Sequence, residues 1–136
     1  MAIVHSEKLR VNWIDTDASQ RIHYTAALRY FEVAEHGLMR ALFGAEGAPG
    51  TRDFGLPRVH VEADYKLALV YPDEFTCSAR VEKLGQSSVS YGFEIRTLAG
   101  ELAITGRIIA VSVDAAGVKT PLPPEFRAGL ERALAS

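Results

Sequence analysis

The apolar residues of the chain follow two periods, one typical of strands and one typical of a helix. Near the N-terminus, Leu9, Val11 and Trp13 alternate with polar residues, which predicts a strand with all three on one face. After a polar break, apolar residues recur at helical spacing from Tyr24 to Phe43, and this predicts the longest helix of the chain. We expect that helix to end in the segment FGAEGAPG, because glycine and proline terminate helices.

The second half of the chain has the pattern of strands. Four segments of alternating or β-branched apolar residues are separated by turn sequences such as YPDE, LGQS and LAGE. Because the turns are short, we expect the last three strands to form an antiparallel meander. The tail PPEFRAGLERALAS starts with proline and predicts a short C-terminal helix. This order predicts an α+β fold in which an antiparallel sheet of about five strands wraps around one long central helix.

The composition is that of an ordinary globular protein and excludes several classes. The chain has 136 residues, which predicts one domain over residues 1–136. The net charge of −2 gives no general attraction to nucleic acid. Cys77 is the only cysteine, so an intramolecular disulfide and a cysteine-based metal cluster are excluded. No apolar run approaches the ~18 residues that cross a bilayer and no leader signature stands at the start, so we expect a cytoplasmic protein without membrane insertion.

Candidate chemistry lies between the first strand and the long helix. Asp15 and Asp17 stand there, where aspartates serve as turn or capping residues that accept backbone N–H groups. The start of a helix also offers free N–H groups and a partial positive charge, which stabilise a developing oxyanion. His23 is a candidate for binding substrate or a surface residue. Glu32 and Glu35 lie on the helix, either on a solvated face or as a second choice of catalytic acid.

Several motifs, taken together and in order, carry a resemblance to a known family. The chain has DTDA after the first strand, LRYFEVA in the helix, YKLALVYPDEF at a strand corner, LGQSSVSY at a hairpin and VSVDAAGVKTPLP near its end. It resembles the hotdog-fold thioesterases over nearly its whole length. The greatest similarity is to the 4-hydroxybenzoyl-CoA thioesterase type, which includes the short-chain acyl-CoA thioesterases of the Tol–Pal cluster. The resemblance implies hydrolysis of an acyl-CoA thioester to a carboxylic acid and CoA, with no metal or organic cofactor.

The resemblance also implies roles for individual residues. Asp17 is the expected catalytic carboxylate, as general base or as nucleophile, while Asp15 holds the turn. The backbone N–H of Tyr24, at the start of the helix, is expected to polarise the thioester carbonyl, and Ser87 and Ser88 are expected near the CoA. Sites of this family form between subunits, which implies a homodimer or homotetramer. Scattered strand cations are candidates for the CoA phosphates: Arg58, Lys66, Arg80, Lys83 and Arg107.

The chain departs from the family pattern at positions that bear on substrate range. Gln20 stands where glycine is usual, Ala27 where an aromatic is common, and Glu35 where arginine is frequent. A small residue at Ala27 favours a pocket enlarged for an aromatic or medium-chain acyl group. Three alternatives stay open at this level: a hotdog protein that binds an acyl thioester without hydrolysing it, a thioesterase acting on acyl carrier protein, and a hydratase or dehydratase, whose His/Asp motif is not found.

Overall fold

The computed structural model describes residues 3–45 and 55–135 of the chain. The elements follow in this order: β1 (Val4–Arg10), a 3₁₀ turn (Trp13–Asp15), α1 (Ala26–Phe43), β2 (Arg58–Tyr65), β3 (Glu74–Leu84), β4 (Ser88–Thr97), β5 (Leu102–Val111) and α2 (Pro124–Ala135). This order confirms the predicted succession of strand, long helix, four strands and short helix. No helix within these ranges is long and apolar enough to cross a membrane.

The five strands form one antiparallel sheet in the order β1-β3-β4-β5-β2. The last three strands along the chain are neighbours, which confirms the predicted meander. The first two strands are added at opposite sides, so β1 and β2 are the edges of the sheet. Helix α1 crosses one face and packs mainly over β1 and β3.

The core lies between α1 and the sheet, and the strand alternation that the sequence predicts is present there. Four residues of β3 and four of β4 point into it and are buried: Phe75, Cys77, Ala79, Val81, Val89, Tyr91, Phe93 and Ile95. Phe31 of α1 stacks on Phe93 with ring centroids 4.7 Å apart. A Cβ at Gly106 would lie 2.3 Å from the Phe31 ring, so glycine on β5 lets the helix approach closely.

Two predicted boundaries near the acidic pair are wrong. Strand β1 ends at Arg10, and Trp13 lies in the 3₁₀ turn with 76% of its side chain exposed, so it does not share the buried face with Val11. The turn forms because the Asp15 carboxylate accepts the N–H of Asn12 at 2.9 Å, which curls the chain before alternation can continue. At the helix, Tyr24 lies in a turn and α1 begins only at Ala26.

The helix end is as predicted as far as the structure describes it. Helix α1 ends at Phe43, and Gly44 follows at a φ of 86°, in the left-handed region that glycine adopts without strain. The rest of the segment FGAEGAPG, from residue 46, lies outside the described residues.

Strand β2 has the predicted alternation but is not buried by it. Val61 and Tyr65 lie opposite the buried Ile108 and Ile104, so they face the helix side of the sheet. They remain 45% and 48% exposed, because α1 packs mainly over β1 and β3, near the opposite edge of the same face. One edge of the sheet therefore presents apolar side chains and unpaired backbone groups to solvent.

Candidate active site

The two acids of the opening motif have different surroundings. Asp15 is buried, with 4% of its surface exposed. One carboxylate oxygen accepts the Tyr30 hydroxyl at 2.8 Å and the N–H of Asn12, and the other accepts the Arg29 guanidinium at 2.7 Å. Burial raises the pKa of the Asp15 carboxyl, but these hydrogen bonds and the charge of Arg29 outweigh it and hold the pKa below its ordinary value. Asp15 is thus fully engaged in fixing the 3₁₀ turn to α1.

Asp17 is exposed, and only one of its carboxylate oxygens is engaged. Oδ1 accepts the Ser19 hydroxyl at 2.6 Å and the Ser19 N–H at 2.8 Å, while Oδ2 accepts no hydrogen bond from the described residues. The Ser19 hydroxyl and N–H lower the pKa of the Asp17 carboxyl. Asp17 is therefore an oriented carboxylate with one oxygen free to act, and it does not cap α1.

The turn after Asp17 shows why glycine is usual at the position where this chain has Gln20. The N–H of Gln20 donates to the Asp17 carbonyl at 2.9 Å, and Gln20 has a φ of 68°. Glycine takes that conformation freely, whereas a side chain there costs roughly 1 kcal/mol. The turn is closed all the same, since the N–H of Asp17 donates to the Arg21 carbonyl at 3.0 Å.

A cleft of about 790 Å³ opens beside Asp17. Its walls include Trp13, Ile14, Val70 and Tyr71, and the rings of Trp13 and Tyr71 meet edge to face at 5.5 Å. These side chains are exposed, with Ile14 at 85%. A largely apolar cleft that carries one oriented carboxylate suits an acyl group beside a reacting carbonyl.

His23 and Tyr24 form the turn that leads into α1. The N–H of His23 donates to the Asp15 carbonyl at 2.7 Å, and its ring contacts the Thr25 hydroxyl at 2.7 Å and stacks on Tyr24 at 4.4 Å. The N–H of Tyr24 has no acceptor among the described residues. The N–H of Tyr24 is therefore available as a hydrogen-bond donor near the positive end of the helix.

Ser87 and Ser88 lie at the other end of the protomer. Asp17 shares a cleft with Tyr71, which shortly precedes β3, so it lies near the start of that strand. Ser87 and Ser88 come after the end of the same 11-residue strand. At about 3.3 Å per residue, roughly 30 Å separate the two ends. Ser87 is also buried, with 7% exposed. One protomer thus does not bring these serines to Asp17.

Glu35, the second choice of catalytic acid on the helix, is not free to act. It is buried, and both its oxygens accept the Arg58 guanidinium, at 2.9 and 2.8 Å. The guanidinium lies 5.9 Å from the centre of the Tyr91 ring. This pair fastens the start of β2 to α1, which also removes Arg58 from the candidates for CoA phosphates. Glu32 is exposed to solvent.

Sequence reasoning missed two residues that shape the site. Ser19 fixes Asp17, and the signal for it was available: serine two residues after aspartate is the usual partner in a turn of this kind. Tyr65 donates its hydroxyl to the Tyr24 carbonyl across 41 residues of sequence, and no local pattern predicts such a contact.

Comparison with known proteins identifies the family. The sequence pattern of the thioesterase-like superfamily matches residues 9–130. A candidate esterase of Aquifex aeolicus is 32% identical over 88 residues, which span 62% of this chain and 66% of that protein. The DHNA-CoA thioesterase of Staphylococcus aureus superposes with a TM-score of 0.86 at 21% identity, covering 95% of this chain and 89% of its own. A 1,4-dihydroxy-2-naphthoyl-CoA thioesterase of Synechocystis gives 0.84 at 17% identity, with 93% and 95% covered.

Proposed function

The chain belongs to the thioesterase-like superfamily and has its hotdog fold, and we propose that it hydrolyses an acyl-CoA thioester to a carboxylic acid and CoA at the cleft of Asp17. The observation that carries the proposal is the Oδ2 of Asp17, which accepts no hydrogen bond from the described residues and lies on a largely apolar cleft. Family membership supports the predicted class of enzyme. The finer assignment, to the 4-hydroxybenzoyl-CoA type and its Tol–Pal branch, stays a prediction, as does the cytoplasmic location.

The proposed chemistry uses groups of this chain alone. A thioester carbonyl is electrophilic because sulfur donates poorly into it. The Asp17 carboxylate either takes a proton from water that attacks the carbonyl, or attacks the carbonyl itself to give an anhydride that water then opens. In both routes the C–S bond breaks, and CoA leaves as a thiolate that takes up a proton. In both routes the carbonyl oxygen gains negative charge, and the N–H of Tyr24 is the proposed donor that stabilises it. The low pKa of Asp17 keeps the carboxylate ionised at neutral pH, and closure of the cleft by the acyl group strips its water.

The acyl group that fits the cleft best is aromatic. The edge-to-face pair of Trp13 and Tyr71 exposes ring faces beside Asp17, and aromatic rings stack or tilt favourably against such surfaces. The 1,4-dihydroxy-2-naphthoyl-CoA thioesterase of Synechocystis, which has a similar fold, is named for an acyl group of this class, and this supports the assignment. His23, whose ring stacks on Tyr24, stays a proposed substrate-binding residue.

The site is proposed to be completed by a second copy of the chain. Ser87 and Ser88 can approach Asp17 only if a partner brings its hairpin, because within one protomer β3 separates them. The exposed apolar edge at β2 supplies a surface on which a homodimer, or a homotetramer built from dimers, can form.

Ion pairs within the chain reduce the number of cations that are candidates for binding the CoA phosphates. Arg80 and Arg107 are held by acids on the outer face of the sheet. Lys66 and Lys83 have no ion pair among the described residues. Lys83 pairs across the hairpin with Ser90, so it lies close to Ser88. We therefore place the nucleotide end of CoA near Lys83.

Replacing Lys83 by alanine is expected to raise KM for acyl-CoA several-fold, corresponding to about 1 kcal/mol, with kcat unchanged. An acyl thioester of N-acetylcysteamine, which lacks the phosphates, should show no change, and Lys8→Ala on the exposed edge strand β1 is the matched control. Steady-state kinetics with both substrates measures the effect. An equal loss on both substrates would contradict a phosphate contact.

Replacing Ser19 by alanine is expected to move the acid limb of kcat/KM to higher pH. The Ser19 hydroxyl stabilises ionised Asp17, so its removal raises the pKa of that carboxyl and a larger fraction is protonated at a given acidic pH. The pH–rate profile is recorded where circular dichroism shows a folded protein. Ser78→Ala on the outer face of β3 is the control, and an acid limb that does not move in Ser19→Ala would separate Asp17 from catalysis.

The main alternative is binding of an acyl thioester without hydrolysis, and Gln20 at a strained position of the Asp17 turn is the observation that favours it. Thiol release from short, medium, long and aromatic acyl-CoAs, followed with a chromogenic disulfide, distinguishes the two. We expect turnover of an aromatic member. Tight binding without thiol release would favour the alternative, and release only from acyl carrier protein would change the carrier.

A further inference from the structure

The last residue of the edge strand β2 reaches the turn that precedes the helix. The hydroxyl of Tyr65 donates to the carbonyl of Tyr24. Partial burial raises the pKa of Tyr65, so the hydroxyl stays protonated and acts as a donor throughout the neutral range. The sheet thus contacts the backbone that carries the proposed oxyanion donor.

The two peptide groups that flank Tyr24 are held by different partners. On one side, the carbonyl of His23 accepts the N–H of Ala26 at 2.9 Å. On the other side, the carbonyl of Tyr24 accepts Tyr65, and the N–H of Thr25 donates to the His23 ring at 3.2 Å. Only the N–H of Tyr24 is left without an acceptor among the atoms that the structure describes here.

The geometry of the peptide bond then fixes where that free N–H points. In a trans peptide the C=O and the N–H point in opposite directions. The His23 carbonyl points toward the N–H of Ala26, into the first turn of the helix, so the N–H of Tyr24 points away from the helix. Its direction can still swing about the bonds of Tyr24, and the hydrogen bond to Tyr65 restrains that motion.

We propose that Tyr65 is a positioning residue for thioester hydrolysis, whose hydroxyl holds the Tyr24 carbonyl so that the neighbouring N–H is presented to the thioester oxygen. This role rests on the proposed function. A donor held in place before the reaction stabilises developing charge without reorganisation, and a shift of a few tenths of an ångström weakens it. Tyr65 would touch no reacting atom. It acts through Tyr24, and it connects the exposed edge strand to the site.

The test is Tyr65→Phe, which removes one oxygen and keeps the ring. We expect kcat to fall about tenfold while KM changes less than twofold, because the contact matters most when the oxyanion forms. Ser78→Ala is the matched control, since its hydroxyl donates to the carbonyl of Glu94 on the other face of the sheet. The control is expected to keep full activity, and both variants are expected to melt within a few degrees of the wild type.

A spectroscopic reading separates positioning from a general loss of structure. An unreactive acyl-CoA analogue with a ¹³C-labelled carbonyl in place of the thioester carbonyl reports hydrogen bonding through its infrared stretching frequency. Bound to wild type the stretch is expected at lower frequency than in Tyr65→Phe, and bound to Ser78→Ala it is expected to match wild type.

The outcomes distinguish failure of the positioning role from failure of the proposed function. Active wild type with an unimpaired Tyr65→Phe variant overturns the positioning role alone. A loss in Tyr65→Phe that appears in KM and melting temperature, with an unchanged carbonyl frequency, also overturns it. A wild type that hydrolyses no thioester overturns the proposed function and this inference with it, because no carbonyl is then polarised.

Discussion

Asp17→Asn is expected to lower kcat for the preferred acyl-CoA by at least about 100-fold, a loss of about 2.7 kcal/mol in transition-state stabilisation. An amide has the shape of the carboxylate, and its oxygen can still accept the Ser19 N–H that holds Asp17 in its turn. It cannot take a proton from water or attack a carbonyl, so binding survives while chemistry stops. KM should change little.

Asp114 offers a control of the same local kind for that experiment. It also holds a turn through its carboxylate, accepting the N–H groups of Ala116 and Val118 at 2.9 and 3.0 Å. It follows β5, whose end pairs with Ser88, so it lies at the hairpin end of its protomer and does not line the cleft of Asp17. Asp114→Asn should keep wild-type kcat. If Asp17→Asn were as active as Asp114→Asn, the catalytic group would lie elsewhere and Glu32 would be tested next.

Val61→Lys is expected to give a folded monomer with kcat/KM reduced at least about 100-fold. Val61 is 45% exposed on the apolar side of edge strand β2, where a lysine is well tolerated in an isolated protomer. A charge at this place would have to lose its water in a dimer paired through β2, at a cost of several kcal/mol. Because Ser87 and Ser88 are proposed to reach Asp17 only from a partner, loss of the dimer should remove activity as well.

Val4 on the opposite edge provides the matched substitution. It is 52% exposed on β1, so Val4→Lys introduces the same charge at the other edge of the sheet. Light scattering and thiol release are measured on both variants at the same protein concentration. We expect Val4→Lys to remain oligomeric and active. A dimer that persists in Val61→Lys and dissociates in Val4→Lys would place the interface on β1.

Features of the fold that depend on local sequence patterns were predicted better than features that depend on contacts between distant elements. The alternation of Phe75 and Cys77 in β3 predicted their burial correctly, because a period of two decides which side of a sheet a residue faces. The same reasoning predicted the faces of β2 but not their exposure. Whether a face is covered depends on where α1 lies, and periodicity carries no information on that.

The site was predicted less completely, for the same physical reason. Asp17 was singled out by its motif, and the structure adds that Ser19 holds it and that Oδ2 accepts no hydrogen bond from the described part of the chain. The locked state of Glu35 could not be predicted, since it depends on Arg58 arriving from another element. The role of Tyr65 could not be predicted either, because its contact with Tyr24 spans 41 residues of sequence.

Hydrolysis of an acyl thioester by Asp17 in this cleft is tested most directly by a single turnover. Protein in excess is mixed with the best aromatic acyl-CoA, and bound ligand and free thiol are measured in the same sample for wild type and Asp17→Asn. We predict that wild type converts the bound acyl-CoA to thiol while Asp17→Asn binds it and releases thiol at least about 100-fold more slowly. Equal release by the two proteins, or none by wild type with the ligand bound, would contradict the claim.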